Sequence, residues 1–217
     1  LQALLAEVDS AAAMVRELGL KVRSFYMGGG TPTTLTAEQM DRLLGRLNEK
    51  FDLANAVERT VEAGRPDTIT AEKLAVLKKN GVDRISVNPQ SMDSRVLAAI
   101  GRRHSGDDIR AAMELVKAAG FPHVNMDLIA GLPEDTPEGF RRTLDEVVAF
   151  GTDNVTIHTL SLKKGSRIML EGTRIPTVEE VSAMLDYAAP ALRDAGFAPY
   201  YLYRQKYMSG SFENVGW

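Results

Sequence analysis

A partial parallel (β/α) barrel of the α/β class is the fold predicted by this 217-residue sequence, on three observations. Helical and strand periodicities alternate from end to end, the pattern of repeated βα units around a parallel sheet. Strand starts recur at intervals of roughly 25 to 40 residues, the span of a strand and its return helix. Successive strands run out, on their C-terminal side, into polar or glycine-rich stretches, and parallel barrels build their sites on that side.

The elements follow in order. Residues 1–20 carry apolar side chains at helical spacing, with Glu7 and Asp9 among them, so they read as an amphipathic helix and not as a secretion signal. A strand is expected over 21–28, a helix over 36–51 and a strand over 56–63. The helix at 70–80 is stopped by Gly81 and followed by a strand over 82–89. A two-part helix spans 91–101 and 105–120, again ending in glycine. Strand 123–131, helix 136–151 and strand 154–162 repeat the unit. The last helix, 177–197, contains Pro190, which predicts a kink, and 198–208 reads as a final extended segment. No linker, low-complexity tract or change of composition divides the chain, so a single domain over 1–217 is expected.

Composition narrows the function classes. Hydrophobic residues make up 44% and charged residues 25%, with a formal net charge of −3 and no basic cluster, which argues against a nucleic-acid surface. No apolar run reaches the roughly 18 residues of a membrane span, so the expectation is a cytoplasmic enzyme. The chain has no cysteine, which excludes disulfides and thiolate metal ligation within it. His104, His123 and His158 are too far apart in sequence for the H-x-x-x-H pattern, so no metal triad is expected. His158 stands near a strand end, where it is a candidate for a polar role beside a substrate. Tyr200, Tyr201, Tyr203 and Tyr207 alternate roughly as in a strand, and edge packing accounts for them.

The strand-end runs hold the chemistry. "MGGGTPTTL" places Gly28, Gly29 and Gly30 before Thr31, and a run without Cβ atoms lets backbone approach a ligand. It lacks the lysine-serine pair of a nucleotide phosphate loop, although a phosphate-bearing substrate stays open on this motif alone. Glu62 in "VEAGRPDTI", Gln90 in "NPQS" and Asp127 in "NMDLIAGLP" each end a separate strand, where a carboxylate or amide can accept from hydroxyl or ammonium groups.

The segments "MGGGTPTTL", "VEAGRPDTI", "RISVNPQSMDSRVLAAIGRRH" and "NMDLIAGLPEDT" resemble in order and spacing the radical S-adenosylmethionine enzymes of the oxygen-independent coproporphyrinogen III oxidase family. The resemblance covers nearly the whole chain, and the tail "YYLYRQKYMSGSFENVGW" looks most like its coproporphyrinogen dehydrogenase branch. It implies a TIM-like radical SAM fold with S-adenosylmethionine lying across the strand ends against a 4Fe–4S cluster. Gly28, Gly29, Gly30 and Thr31 then fall where the family holds the methionine moiety, and Glu62 matches a ribose-hydroxyl or methionine partner. Gln90 and Arg102 keep the family's separation, Asp127 matches a ribose contact, and Ser161 matches a backbone contact to adenine. The implied reaction is oxidative decarboxylation of coproporphyrinogen III propionates to the vinyl groups of protoporphyrinogen IX, in heme biosynthesis. Arg65, Arg102, Arg103, Lys163 and Lys164 become candidates for propionate contacts, and a flavodoxin or ferredoxin becomes the expected electron donor. A heme-binding chaperone with similar core motifs is the alternative.

The family ligates its cluster through a C-x3-C-x2-C loop after the first strand, and this chain has no cysteine. The expectation is a fragment, with the first strand, the cluster loop and a C-terminal region beyond its ends. As given, it should fold but not catalyse.

Overall fold

The computed structural model describes residues 1–162, 172–204 and 209–217. Its strands are β1 (Ser24–Met27), β2 (Glu58–Glu62), β3 (Arg84–Gln90), β4 (His123–Ala130), β5 (Asn154–Thr159), β6 (Tyr201–Tyr203) and β7 (Asn214–Gly216). They form one open sheet in the order β1-β2-β3-β4-β5-β7-β6. The first five are parallel neighbours, so the expected βα repeat holds across them. The closing pair departs from it: β7 runs antiparallel to β5, and β6 antiparallel to β7. Residues 214–216 were not expected to be a strand, because three residues carry too little alternation to register.

The helices are α1 (Gln2–Glu17), α2 (Ala37–Lys50), α3 (Ala71–Lys79), α4 (Ser94–Ala99), α5 (Gly106–Ala119), α6 (Pro137–Ala149) and α7 (Val178–Asp194). Each from α2 to α7 opens on a Thr, Ser or Asp whose side chain accepts a backbone N–H of the first turn. Such a cap contributes about 1 kcal/mol. Thr36 with Gln39, Ser105 with Asp108, and Thr177 with Glu180 complete reciprocal capping boxes. The helix in which a kink is expected at Pro190 is continuous from Val178 to Asp194. Its face of Val181, Met184, Ala188 and Leu192 is buried, and that packing holds it together across the missing N–H.

Strand alternation divides the sheet into two faces. Val61, Ile85, Val87, Met126, Leu128, Val155 and Ile157 are buried against helical residues such as Met40, Leu77, Ile109, Phe140 and Leu144. The intervening positions are polar: Thr60, Ser86, Asn125, Asp127, Thr156 and His158. A parallel sheet covered only by helices would be apolar on both faces. This one keeps a polar concave face, and the site lies there.

Candidate functional site

A cleft of about 500 Å³ opens on the concave face, lined by residues of β1 to β6. Its floor is a network from the starts of three strands. Arg84 donates to Glu58 Oε2 (3.0 Å) and to Asn154 Oδ1 (2.8 Å), and Asn154 Nδ2 donates to the Trp217 carbonyl (2.6 Å). Arg84 thereby links β2, β3, β5 and the end of β7. Above it, Asn125 Nδ2 donates to Asp127 Oδ1 at 2.8 Å and to Ser86 Oγ at 3.2 Å.

The upper wall carries Asp127 and Tyr26, and Tyr26 bonds a second carboxylate, Glu62, that does not itself line the cleft. The Tyr26 phenol donates to Glu62 Oε1. Burial, the hydrogen bond to Glu62 and the charges of Glu62 and Asp127 raise the Tyr26 pKa well above that of a free phenol. Both carboxylates therefore act on one group. Asp127 Oδ2 also lies 3.7 Å from His158 Nε2, and His158 lines the cleft. Tyr200, Tyr201 and Tyr203 close the far side, with ring centroids 6.4 Å and 5.6 Å apart along the series. They border the cleft as well as packing at the sheet edge; Tyr207 lies outside the described residues.

The three glycines of the first loop have three different reasons. A Cβ on Gly28 would lie 2.5 Å from a Tyr26 ring carbon and 3.0 Å from the Glu62 carboxyl carbon. Gly29 adopts φ +102°, which other residues rarely do. Gly30 is exposed, and a Cβ there would meet no protein atom within 4 Å. Only Gly30 is left bare with no need from the fold. The Thr31 carbonyl accepts from the Thr34 N–H (2.9 Å) and hydroxyl (2.7 Å) and so starts the turn leading to α2.

The remaining candidates are spread around the strand ends. Gln90 does not line the cleft; it follows an irregularity in the β3–β4 pairing and has φ +68°. Its Oε1 and the Asn88 Oδ1 are buried without a hydrogen-bond partner among the described residues. Arg102 is half-buried between α4 and α5, and burial and then Arg65 lower its pKa. Arg65 and Arg103 are exposed, and Ser161 is half-buried just past β5. Lys163 and Lys164 lie outside the described residues. His123 begins β4 and bonds Asp153 at 2.7 Å, while His104 is buried elsewhere, so the histidines do not meet. Sequence reasoning missed Tyr26, Glu58, Arg84 and Asn154. Period-two alternation through β2 was the available signal, since it puts Glu58, Thr60 and Glu62 on one face.

Residues 4–147 match the family model described as Radical SAM superfamily. The chain belongs to the radical SAM superfamily. It is 44% identical over 214 residues to the oxygen-independent coproporphyrinogen-III oxidase-like protein HemZ of Bacillus subtilis, covering 97% of this chain and 43% of that protein. It is 34% identical over 204 residues to the heme chaperone HemW of Mycobacterium tuberculosis, covering 92% of this chain and 52% of that protein. Among solved structures, coproporphyrinogen III oxidase (HemN) from Escherichia coli, a radical SAM enzyme, superposes with a TM-score of 0.80. Identity there is 28%, over 91% of this chain and 45% of HemN. The chain thus has the TIM-like radical SAM half-barrel and spans about half the length of the curated relatives it matches.

The superfamily uses S-adenosylmethionine and a 4Fe–4S cluster. The residues present do not fit the cluster: the chain has no cysteine, and no group of three or more His, Asp or Glu among the described residues could hold a metal. They do fit S-adenosylmethionine. The cleft offers carboxylates to a cationic, hydroxyl-bearing molecule, Gly30 leaves backbone open, and Gln90 and Asn88 carry unpaired buried acceptors. Family membership leaves the phosphate-substrate reading without support.

Proposed function

We propose that this chain is the S-adenosylmethionine-binding barrel of an oxygen-independent coproporphyrinogen III oxidase of the coproporphyrinogen dehydrogenase type. The reaction is oxidative decarboxylation of the substrate's propionates to vinyl groups, in cytoplasmic heme biosynthesis. When bound, S-adenosylmethionine supplies the oxidising chemistry. A porphyrinogen substrate and a flavodoxin or ferredoxin as electron donor complete the reading.

The protein's own share is to bind, orient and exclude solvent. Asp127, with one oxygen held by Asn125, presents the other to a ribose hydroxyl. Glu62, held by Tyr26, accepts from a hydroxyl or ammonium group, as does Gln90 Oε1. Arg102 forks onto a carboxylate, and Gly28, Gly29, Gly30, Thr31 and Ser161 offer backbone groups. The single observation that carries the reading is Tyr26, which lines the cleft beside Gly28, hydrogen-bonded to Glu62 and within the field of Asp127. The full-length protein, reconstituted anaerobically with iron, sulfide and reductant, should release 5′-deoxyadenosine from S-adenosylmethionine and convert coproporphyrinogen III. Absence of both products would refute it.

A second reading, a heme chaperone, is favoured by the likeness to HemW. Stoichiometric heme binding without porphyrinogen turnover by the full-length protein would select it.

A further inference from the structure

The cleft has two unlike sides. Asp127 and the bonded pair of Tyr26 and Glu62 give it polar groups from β1, β2 and β4, whereas the other side is a wall of aromatic rings. Tyr201 and Tyr203 of β6 both line the cleft, and Leu202 between them does not. Alternation along the strand puts the two rings on one face. Their centroids are 5.6 Å apart with planes tilted by 39°, and Tyr200 adds a third ring 6.4 Å from that of Tyr201. The protein leaves this wall open: Tyr200 is 64% exposed and Tyr201 49%.

The wall is fixed in place. The Tyr200 N–H donates to the Gly216 carbonyl at 3.0 Å, and its hydroxyl donates to Asn154 Oδ1 in the cleft floor at 3.4 Å. A Cβ on Gly216 would lie 3.0 Å from the Tyr200 ring, so this glycine of β7 leaves the room the ring occupies. Tyr201 is in register with Gly216, Gly216 with Thr156 of β5, and Thr156 with Asp127 of β4. The wall therefore stands level with Asp127. It is separated from it by the steps β4 to β5, β5 to β7 and β7 to β6, about 14 Å along the sheet at ordinary strand spacing. That places it away from Gly30, Glu62 and Gln90, which belong to the opposite half of the sheet.

We infer that Tyr201, flanked by Tyr200 and Tyr203, is the stacking face for one pyrrole ring of the bound tetrapyrrole. This rests on the reading above, in which the ligand is a porphyrinogen or, in the second reading, heme; the pyrrole ring is common to both. Rings tilted against one another offer faces and edges together, which suits a flat ring in offset or edge-on contact. Tyrosine supplies such area at a low entropy cost, having only two side-chain torsions to fix. Edge packing accounts for the Tyr200 ring over Gly216, but not for the open Tyr201 ring turned into the cleft. The polar side thus takes the charged cofactor, and the aromatic side takes the uncharged ring of the substrate.

The test titrates full-length protein with coproporphyrin III, hemin and S-adenosylmethionine. Tyr201→Leu removes the ring and should weaken whichever pigment the wild type binds about tenfold, the worth of one good ring contact. Tyr201→Phe should keep the wild-type affinity, because the ring and not the hydroxyl makes the contact. Leu202→Ala, on the same strand but outside the cleft lining, should change nothing. S-adenosylmethionine affinity and the denaturation midpoint should match wild type in all three. Unchanged pigment affinity in Tyr201→Leu overturns the inference, as does a wild type that binds neither pigment. An equal loss of S-adenosylmethionine affinity would assign the ring to adenine and overturn it. So would an equal loss of pigment in Tyr201→Phe or Leu202→Ala, or a lowered midpoint in Tyr201→Leu that makes the loss structural. These are binding measurements, so they fail separately from release of 5′-deoxyadenosine.

Discussion

The Tyr26 phenol and the Glu62 carboxylate form one unit across the β1–β2 pair, with Tyr26 in register with Thr60 and reaching diagonally to Glu62. Gly28 makes room for it, since a Cβ there would strike both side chains. One of the three glycines in "MGGGTPTTL" is therefore explained by a hydrogen bond inside the protein, and another by its backbone angle.

Tyr26→Phe should release Glu62 and lower S-adenosylmethionine affinity severalfold, while the fold survives because Tyr26 is 60% exposed. The folded-state pKa lies above the unfolded value of 10.0, so the group's stabilisation is complete below that pH and is lost as pH rises beyond it. Ultraviolet difference titration should show a late-ionising phenol that disappears in the variant. A variant with an unchanged titration curve would contradict the assignment.

Asp135, 1% exposed, caps nothing but its neighbour: Oδ1 accepts from the Thr136 N–H at 2.8 Å. Burial pushes its pKa up to about 6, opposed by that hydrogen bond and assisted by Asp93. The native state then holds a proton that the unfolded chain releases near pH 4, so this group's contribution falls as pH rises through that interval. Asp135→Asn should be more stable than wild type by about 2 kcal/mol at neutral pH, with the gap closing toward pH 4. Urea denaturation at both pH values decides it; a gap that is constant with pH would contradict it.

Arg84 joins Glu58 to Asn154, and its side chain is 21% exposed. Arg84→Met should cost about 2 kcal/mol, because Glu58 and Asn154 both lose their partner in the cleft floor. In a Glu58→Gln background the cost should shrink, which a double-mutant cycle measures. Equal costs in both backgrounds would mean that the pair is not coupled.

Much of this was legible because it is local. Caps such as Thr36, Ser105 and Thr177 and stops such as Gly81 and Gly120 mark helix ends directly, and the βα repeat follows from their spacing. Glu62 was legible as the polar residue ending β2, whereas Asp127, expected at a strand end, lies inside β4 with Leu128, Ile129 and Ala130 after it. Tyr26 was not legible, since in "SFYM" it reads as one more apolar residue, and its partner lies 36 positions away. Arg84 and Asn154, 70 positions apart, meet only after three strands are aligned. Gln90 missed the cleft because the irregular β3–β4 pairing breaks the alternation that would have aimed it. The hairpin of β6 and β7 was hidden for a similar reason: its pairing with β5 is non-local and only two residue pairs long.

The 217-residue chain by itself should generate no 5′-deoxyadenosine after reconstitution with iron and sulfide, because it has no cysteine for a cluster. Chromatographic assay of the nucleoside tests this, and product above background would show that other side chains can ligate the cluster.

The central claim, that the strand ends hold S-adenosylmethionine, is tested most directly at Gly30. A Cβ at this position meets no protein atom within 4 Å, so Gly30→Val should leave the denaturation midpoint unchanged. In full-length, cluster-reconstituted protein the same variant should bind S-adenosylmethionine at least about tenfold more weakly. Wild-type affinity in that folded variant would contradict the account.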